Sequence, residues 1–409
     1  MSLLRIDQLF SYEKGSLQSS KCLPGEYNFI TAASEWKTNK SYSHDCEALV
    51  FAAAASGSLG RIHYVKGKFT ASDLCFILTP KDNTNLPIDL KFYQIIFNLF
   101  RTDIVKNTKA GTSKEAIGLT RFGQYKLPYF DIEQQELVKE QIGKIEELKT
   151  SISDENFHQL NLISQLRQAF LREAMQGKLV PQNPDDEPAT ELLKRIKAEK
   201  EKLIVEGKIK KQKPLPEIKQ EEIPFDQPKD LTFVRLQDIC HIEKGNIGIM
   251  KATPGEYPLV TLSEKRLSDK EYYFDCKAII IPIISSAGHG KAEMKRMHYQ
   301  EGKFSVGNIL CAVYPFNYEN FNARFLFEYM NNYKHDFFVK KMRGAANVSL
   351  RLDAVGETPV PVVAIKTQNK FEELMQLLDE LEKNINQSKE ETNLLLQTVL
   401  REALEGKEK

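Results

Sequence analysis

Seven histidines and six cysteines are the side chains of this 409-residue sequence best suited to bind a metal or act as a nucleophile. No two cysteines form a CxxC pair, and no cysteines and histidines have the spacing of a zinc site. The sequence also lacks GxSxG, HExxH and Walker signatures, a GxGxxG that opens a βαβ unit, and the (N/D)PP(Y/F) tetrapeptide of adenine methyltransferases. These absences predict a chain with no metal or cofactor of its own and no catalytic activity.

Two glycine turns come closest to a phosphate-binding loop. In VKGKFT (65–70), Gly67 follows Gly60 by seven residues where a phosphate loop needs five, and Phe69 stands in place of its Ser or Thr. EGKFS (301–305) is the matching turn. Because both turns follow a His-Tyr pair in strand-like sequence, we predict hairpins here and no phosphate site.

The recurring histidines and cysteines favour structural roles. The His-Tyr pairs begin at His63 and His298, and Cys46 and Cys276 each precede an apolar run. We expect the histidines to pack on strands or lie at the surface and the cysteines to be small buried side chains. Without a signal-peptide run or an apolar stretch of membrane-spanning length, we expect a soluble protein of a reducing compartment.

These recurrences belong to an internal repeat that organises the chain. LRIDQLFSYEKG (4–15) returns as VRLQDICHIEKG (234–245), and LREAMQGK (171–178) returns as LREALEGK (400–407). The His-Tyr turns lie between them in the same order, after a five-residue insertion in the second copy. A shared order over this length indicates a duplicated unit.

Each copy has a mixed part and a helical part. Gly, aromatic and β-branched residues with turn signals predict mixed strand and helix, whereas proline-free stretches rich in Glu, Gln, Leu and Lys predict long helices. The predicted boundaries are 1–130 and 231–364 for the mixed domains, 131–178 and 365–409 for the helices, and 179–230 for a linker. Within the mixed domains we predict strands at 47–54 and 277–284 and a helix near 88–107.

Apolar residues at alternating steps of three and four predict that the long helices pair as an antiparallel coiled coil. An ordinary core helix is the alternative for either stripe alone, but two stripes of matching length favour pairing. The predicted seam residues are Val138, Ile145, Leu148, Ile152, Ile163, Leu166, Phe170, Phe371, Leu374, Leu378, Leu381, Ile385, Leu395 and Val399.

The linker begins and ends with prolines and contains one charged helical stretch, about 188–205. A basic run follows it, from Lys208 to Lys213. A solvated linker is the simplest interpretation of such charge. Contact of the basic run with nucleic acid or an acidic partner is the alternative.

The net charge of +1 conceals an uneven distribution along the chain. Residues 1–130 contain 16 Lys and Arg against 11 Asp and Glu, and residues 231–364 contain 17 against 14. Both helical parts are net negative. A chain-wide basic coat for nucleic acid is therefore excluded, whereas two mildly basic domains carried on acidic helices are compatible with phosphate contacts.

Two mixed domains alternating with two long helices resemble, over the whole chain, the specificity (S) subunit of type I restriction–modification systems. The strongest likeness is LRQAFLREAMQGKLVPQNPDDEPATELLKRIKAEKEKLIVEGKIKKQKPLP (166–216). The second is the Gly-Thr-Ser turn (111–113) with LTRFGQYKLPYFDIEQQELV (119–138) after it. In the second copy, Val-Pro-Val and Thr-Gln replace the family's Pro-Pro and Glu-Gln, which leaves the start of the second helix less defined.

The resemblance implies an α+β fold with two target-recognition-like α/β domains in tandem. Two long helices separate these domains and form an antiparallel coiled coil with pseudo-twofold symmetry. Each domain would read one half of a split double-stranded DNA site, while the helices set the spacing and dock two modification (methyltransferase) subunits.

Restriction (motor-nuclease) subunits would complete the assembly, which acts in the prokaryotic cytoplasm as an adenine-specific DNA methyltransferase and ATP-dependent type I site-specific deoxyribonuclease. S-adenosylmethionine, ATP and Mg would belong to the partner subunits, and no membrane is involved. A two-headed scaffold that binds protein or glycan is the main alternative. An enzyme with an unrecognised site is a third.

DNA contacts are expected from polar and basic loop residues where the copies differ, because Lys and Arg bind phosphates while Asn, Ser and Thr can read base edges. In the first domain they are Lys14, Ser16, Ser58, Arg61, Lys109, Thr112, Ser113 and Lys114. In the second they are Lys244, Asn246, His289, Lys291, Arg343, Asn347 and Arg351.

Overall fold

The computed structural model divides by its internal contacts into two units. Residues 1–156 with 387–409 form the first unit, and residues 157–386 form the second. The structure describes residues 2–54, 57–110, 116–181, 189–226, 231–287 and 290–405. No helix among these residues is long and apolar enough to cross a membrane.

The first unit is built around one coiled sheet. Its strands are β1 (Ser2–Arg5), β2 (Phe10–Lys14), β3 (Tyr27–Ile30), β4 (Lys37–Asn39), β5 (His44–Ala52), β6 (Ile62–Ala71), β7 (Cys75–Pro80), β8 (Lys109–Ala110), β9 (Ala116–Ile117) and β10 (Lys126–Tyr129). Its helices are α1 (Ile6–Leu9), α2 (Leu90–Leu99), α3 (Arg101–Thr108), α4 (Leu119–Gln124), the first part of α5 (Ile132–Met175) and the last part of α10 (Ile365–Glu405).

The main sheet has the order β2-β7-β5-β6-β3-β4, and β1 pairs with β10. After β2, Leu17 forms a parallel bridge with Ser72, so the chain reaches the far end of β6 and draws the sheet towards a barrel. Gly15 permits this approach, because a Cβ there would lie 2.2 Å from the Ser72 carbonyl oxygen.

Two apolar clusters lie on the two faces of this sheet. Small and β-branched side chains such as Ala48 and Val50 fill the inner face together with Phe69. The outer face packs on α2, which buries Phe92 and Phe97 completely. Alternation along the strands therefore supplies both cores at once.

The second unit repeats this plan with shorter strands. They are β11 (Phe233–Arg235), β12 (Cys240–Lys244), β13 (Tyr257–Val260), β14 (Leu267–Asp269), β15 (Phe274–Asp275), β16 (Ala278–Pro282), β17 (His298–Gln300), β18 (Lys303–Val306), β19 (Leu310–Pro315) and β20 (Pro359–Pro361). Its helices are α6 (Ala189–Val205), α7 (Ala323–Asn332), α8 (Lys334–Phe337), α9 (Leu352–Gly356) and the first part of α10 (Ile365–Glu405), together with the end of α5.

These strands form sheets of order β12-β19-β16-β17 and β14-β13-β18-β15, with β11 paired to β20. By the repeat, β15 and β16 correspond to β5, and β17 and β18 correspond to β6. The continuous sheet of the first unit is thus divided in two here. The predicted strands at 47–54 and 277–284 are confirmed as β5 and β16, with different ends.

Two local predictions are wrong. The helix expected near 88–107 is two helices, because the backbone bends at Phe100 (φ −87°, ψ 5°). The glycine turns are not hairpins: β6 continues through Gly67, whose φ of +90° bends the strand without ending it. At Gly302 the chain leaves β17 and enters β18 in the other sheet.

The linker is docked on the second unit, which corrects the expectation of a solvated segment. Its predicted helix is confirmed as α6, and Leu192 and Ile196 are buried in the core of that unit. Beyond α6, the Arg235 guanidinium donates to the backbone carbonyl of Pro216 at 3.0 Å and to the Glu222 carboxylate at 2.5 Å. The helix α6 is therefore charged overall but packs on the second unit through an apolar stripe.

A buried glutamine joins the start of each long helix to its mixed domain. The Gln135 side-chain oxygen accepts the Asp89 N–H at 2.8 Å, and its amide donates to two backbone carbonyls. Gln368 accepts the Asn322 N–H at 2.9 Å in the same way. Asp89 and Asn322 are the N-caps of α2 and α7, so each glutamine joins the start of a long helix to the start of a short domain helix. The contact of Gln368 also defines the start of α10, which the sequence left uncertain.

Within the second unit, its parts of α5 and α10 lie antiparallel, as predicted. Arg167 of α5 donates to Asp379 at 2.6 Å and Glu382 at 3.0 Å. Leu179, just beyond the end of α5, lines a cavity together with Ile365 at the start of α10. The end of one helix therefore lies near the start of the other, as in an antiparallel pair. The charge pairs fix the register of the two helices in this unit.

Candidate nucleic-acid interface

One end of the first barrel is organised by the turn at 72–75. The Leu74 carbonyl accepts the Ala53 N–H at 2.9 Å, and the Cys75 carbonyl accepts the Gly15 N–H at 2.9 Å. Three chain segments that are distant in sequence therefore meet at this turn. They include the loops that follow β2 and β5.

Predicted contact residues lie in those loops. Lys14 and Ser16 flank the glycine that approaches the turn, and both are exposed. The Arg61 carbonyl accepts the Ala52 N–H at 2.8 Å, while its guanidinium donates to the Ala32 carbonyl at 2.9 Å. The Arg61 side chain is thereby held against the same end of the barrel.

In the second unit a parallel bridge between Ile247 and Gly307 corresponds to that between Leu17 and Ser72, so its two sheets curl into a second barrel with an equivalent turn at 307–310. The Leu310 carbonyl accepts the Gly245 N–H at 2.8 Å, and the Ile309 carbonyl accepts the Ile283 N–H at 3.0 Å. The loops after β12 and β16 therefore meet as their counterparts do in the first unit. Lys244 and Asn246, on either side of the buried Gly245, are exposed to solvent.

A further segment closes this end of the second barrel. The backbones of Arg343 and Ser349 exchange hydrogen bonds of 2.9 Å, and Leu350 donates to the Ile283 carbonyl at 2.9 Å. Asn347 is exposed in the turn between them. Among the described residues, the structure thus places predicted contact residues of both domains in loops that meet at one end of each barrel, while their contact with DNA stays a prediction.

The predicted contact residues differ in exposure. Ser58 and Arg61 are half-buried, whereas the exposed ones are Lys14, Ser16, Lys109, Lys244, Asn246, Lys291, Arg343, Asn347 and Arg351. Arg351 is paired with Asp353 through a 3.0 Å hydrogen bond. The others, Thr112, Ser113, Lys114 and His289, lie outside the residues that the structure describes.

The predicted helix seam is only partly buried in the chain itself. Buried members are Val138, Ile163, Phe371 and Leu378; half-buried members are Ile145, Phe170, Leu374 and Ile385. The exposed members are Leu148, Ile152, Leu166, Leu381, Leu395 and Val399. Met375 is completely buried beside Phe371. The sequence pattern did not include it, because the steps of three and four along the predicted seam pass through its neighbour Leu374.

The two repeat-equivalent histidines occupy strand positions, as predicted, but with different neighbours. In the first unit the Trp36 indole N–H donates to His63 Nδ1 at 3.2 Å. In the second, Arg266 occupies the tryptophan position and its Nη1 lies 3.1 Å from His298 Nδ1. Burial lowers the pKa of both imidazoles, and burial together with Arg266 and Arg296 lowers that of His298 to about 4.

Cys276 is half-buried beside a cavity of about 550 Å³ in the second unit. Lys277, Glu301, Tyr318 and Glu372 also line this cavity. In the described ranges no three His, Cys, Asp or Glu side chains group as metal ligands. Burial raises the pKa of the Cys276 thiol to about 11, so it is protonated near neutral pH.

Comparisons with known proteins find a DNA specificity domain twice in this chain. The family model described as type I restriction modification DNA specificity domain matches residues 2–156 and again 228–391. The EcoAI specificity subunit of Escherichia coli is 39% identical over 166 residues, which cover 39% of this chain and 25% of that protein. The EcoEI specificity subunit of Escherichia coli is 54% identical over 80 residues, covering 20% of this chain and 14% of that protein.

The matched stretches therefore span a quarter or less of those two relatives. A solved structure described as the structural basis of complex assembly and conformational transition of the type I R-M system has a TM-score of 0.55 at 14% identity. It covers 99% of this chain and 97% of that chain, and at this identity the likeness concerns the fold alone. With the specificity-domain model matched twice over most of its length, this chain belongs to the type I restriction–modification DNA specificity family.

Proposed function

We propose that this chain is the DNA-reading subunit of a type I restriction–modification complex. Each barrel would read one half of a split double-stranded site. The observation that carries the proposal is the gathering of polar and basic loops at the equivalent end of both barrels, around the turns at 72–75 and 307–310. Two readers of different sequence on a repeated plan suit a site with two different halves.

We further propose that the long helices set the distance between the half-sites and dock two modification subunits. Leu148, Leu381 and Leu395 support this, because their side chains are 60%, 51% and 62% exposed on otherwise charged helices. Apolar side chains at such positions are typical of helices that receive a partner. Restriction subunits would then join the assembly.

In this proposal the chain itself is not catalytic. S-adenosylmethionine, ATP and Mg would be bound by the partner subunits, and the complex would methylate adenine and cleave DNA at the expense of ATP in the prokaryotic cytoplasm. The names of the Escherichia coli relatives, which are specificity subunits of type I restriction enzymes, support this assignment.

Mapping methylated adenines in the host genome tests the proposal directly. We expect one split motif, with two specific halves and a fixed gap, that disappears when the gene for this chain is deleted. Exchanging residues 231–364 for the equivalent domain of a relative should change one half and leave the other unchanged. A change in both halves, or a motif independent of this chain, would contradict the proposal.

A further inference from the structure

A pair of cations borders the loop before β6 in the first unit. The Arg101 Nε donates to the Leu59 carbonyl at 2.9 Å. Its stem covers the next residue, since a Cβ on Gly60 would lie 2.9 Å from Arg101 Cγ. Arg61 follows immediately, with its guanidinium on the Ala32 carbonyl. Two guanidinium groups on neighbouring elements are therefore held beside one short loop.

The second unit has a similar pair of cations at repeat-equivalent positions. Lys334 opens α8 as Arg101 opens α3, and its Nζ donates to the Lys295 carbonyl at 2.9 Å. The next residue is Arg296. Because the shared His-Tyr pair fixes the register at His63 and His298, Arg296 is the counterpart of Arg61. The five-residue insertion had concealed this correspondence.

These cations are poorly neutralised by the chain. In the part of the chain that the structure describes, no carboxylate forms an ion pair with Arg61, Arg101 or Lys334. Arg296 has one acidic neighbour, Glu264, at 3.3 Å, and the Glu264 side chain is 83% exposed. Burial and the adjacent arginine lower the pKa of both Arg101 and Lys334, so each pair would gain from an anion between its members.

We propose that each pair, Arg61 with Arg101 and Arg296 with Lys334, clamps one backbone phosphate of bound DNA. This inference rests on the function proposed above. A phosphate diester carries one negative charge and two free oxygens, which suits two donors on adjacent elements. Phosphate contacts fix orientation and carry no sequence information, so the same pair can serve two barrels whose neighbouring loops differ.

The test is the salt dependence of duplex binding by the full chain assembled with its modification subunits. A random-sequence duplex serves as the probe, and fluorescence anisotropy gives the affinity between about 50 and 200 mM salt. Loss of one phosphate contact should make the slope of log K against log salt shallower by about 0.9. We expect this for R61Q, R101Q, R296Q and K334Q.

Double variants separate a clamp from a general charge effect. R61Q/R101Q should lose less affinity than the sum of its single variants, because both side chains hold one phosphate. R61Q/R296Q, with one change in each barrel, should show additive losses. Full additivity within a pair, or unchanged slopes with binding retained, would overturn the clamp.

K126Q in β10 is the matched control, since it removes one exposed positive charge away from the loops. Its slope should stay within error of the parent. E264Q should tighten binding at low salt, because it removes the competing carboxylate beside Arg296.

Failure of the proposed function has a different signature. The parent complex would then show no salt-dependent duplex binding at all. Inorganic phosphate, titrated at constant ionic strength, distinguishes a site for free phosphate from one for DNA. Phosphate binding without duplex binding would overturn the DNA assignment of the clamp.

Discussion

The two barrels share a strand order but differ where their longest strands pair. In the first unit β5 and β6 stay paired over their length, whereas in the second the pairing stops at Lys277. There the Lys277 N–H donates to the Tyr318 hydroxyl at 3.1 Å, and that hydroxyl donates to the Lys277 carbonyl at 2.9 Å. By the register of β7 and β19, the first copy has Asn83 at the corresponding position, and its side-chain oxygen accepts the Ile88 N–H at 3.0 Å.

A single phenol from a loop thus takes the place of ladder hydrogen bonds and divides a sheet. The junctions with the long helices show the opposite behaviour, because Gln135 and Gln368 make equivalent bonds in both units. The duplicated chain therefore keeps its attachment to the helices and varies its barrel. Four experiments test where the two units are alike and where they differ.

The largest effect is expected at the shared junction. Q135A should lower the free energy of unfolding of the first unit by about 3 kcal/mol, because a buried N–H and two buried carbonyls lose their partners. Q368A should do the same to the second unit. Urea denaturation monitored by hydrogen exchange assigns each loss of unfolding free energy to its unit.

E136A, an exposed neighbour on the same helix, is the control and should change stability by less than about 0.5 kcal/mol. Equal losses in both units from one glutamine variant would show that the junctions are not independent.

Acid should distinguish the two histidines. His298 has a folded-state pKa of about 4, below its ordinary value, so between pH 6.5 and 4 the unfolded chain binds more protons than the folded one. The contribution of neutral His298 to the free energy of unfolding is complete above pH 6.5 and is lost as the pH falls to about 4. We expect the second unit to lose about 2 kcal/mol over this range, after allowance for solvent screening.

H298N should remove most of this pH dependence, since an amide oxygen can accept from Arg266 without titrating. R266Q should raise the pKa of His298, which NMR titration measures. A His298 pKa that is insensitive to Arg266 would contradict the assigned cause.

The strand break should respond moderately to Y318F. Removing the hydroxyl leaves the Lys277 N–H and carbonyl without their partner, and we expect a loss of about 1 kcal/mol in the second unit. Hydrogen exchange at the Lys277 amide should accelerate. Y42F in the first unit removes an exposed hydroxyl and is the control; equal effects of both variants would argue against the role of Tyr318.

The smallest effect is expected at Met250, whose side chain is 97% exposed in a short turn. Ser20 is its counterpart in the first unit. M250S should therefore change the free energy of unfolding by less than about 0.5 kcal/mol. A larger loss in urea denaturation would show that this turn packs on the barrel.

Sequence patterns predicted the mixed domains, the long helices and the linker helix, because periodicity and the repeat are local properties of the chain. They did not predict that the apolar stripe of α6 would be buried in the second unit, because nothing in the sequence indicates which surface that stripe packs against. The clamp residues Arg101 and Lys334 were also missed. Each lies at the start of a helix, and only the fold brings it beside an arginine from a different loop.

Tyr318 shows the same limit. Nothing in its local sequence indicates that a loop phenol will bond to the backbone of a strand about forty residues earlier. By contrast, Arg296 could have been identified from the register of the His-Tyr pairs alone. Interactions between distant segments thus required the structure, whereas equivalence between the copies required only alignment.

The pairing of β1 with β10 and of β11 with β20 has a consequence for synthesis. Ser2 pairs with Tyr129, and Phe233 pairs with Pro361, so each domain is closed by its own outermost strands. A growing chain leaves the ribosome from its N-terminus, and domains fold as units in that order. The first barrel can close once Tyr129 has emerged, but a chain interrupted before Pro361 would expose the second core to proteases and aggregation.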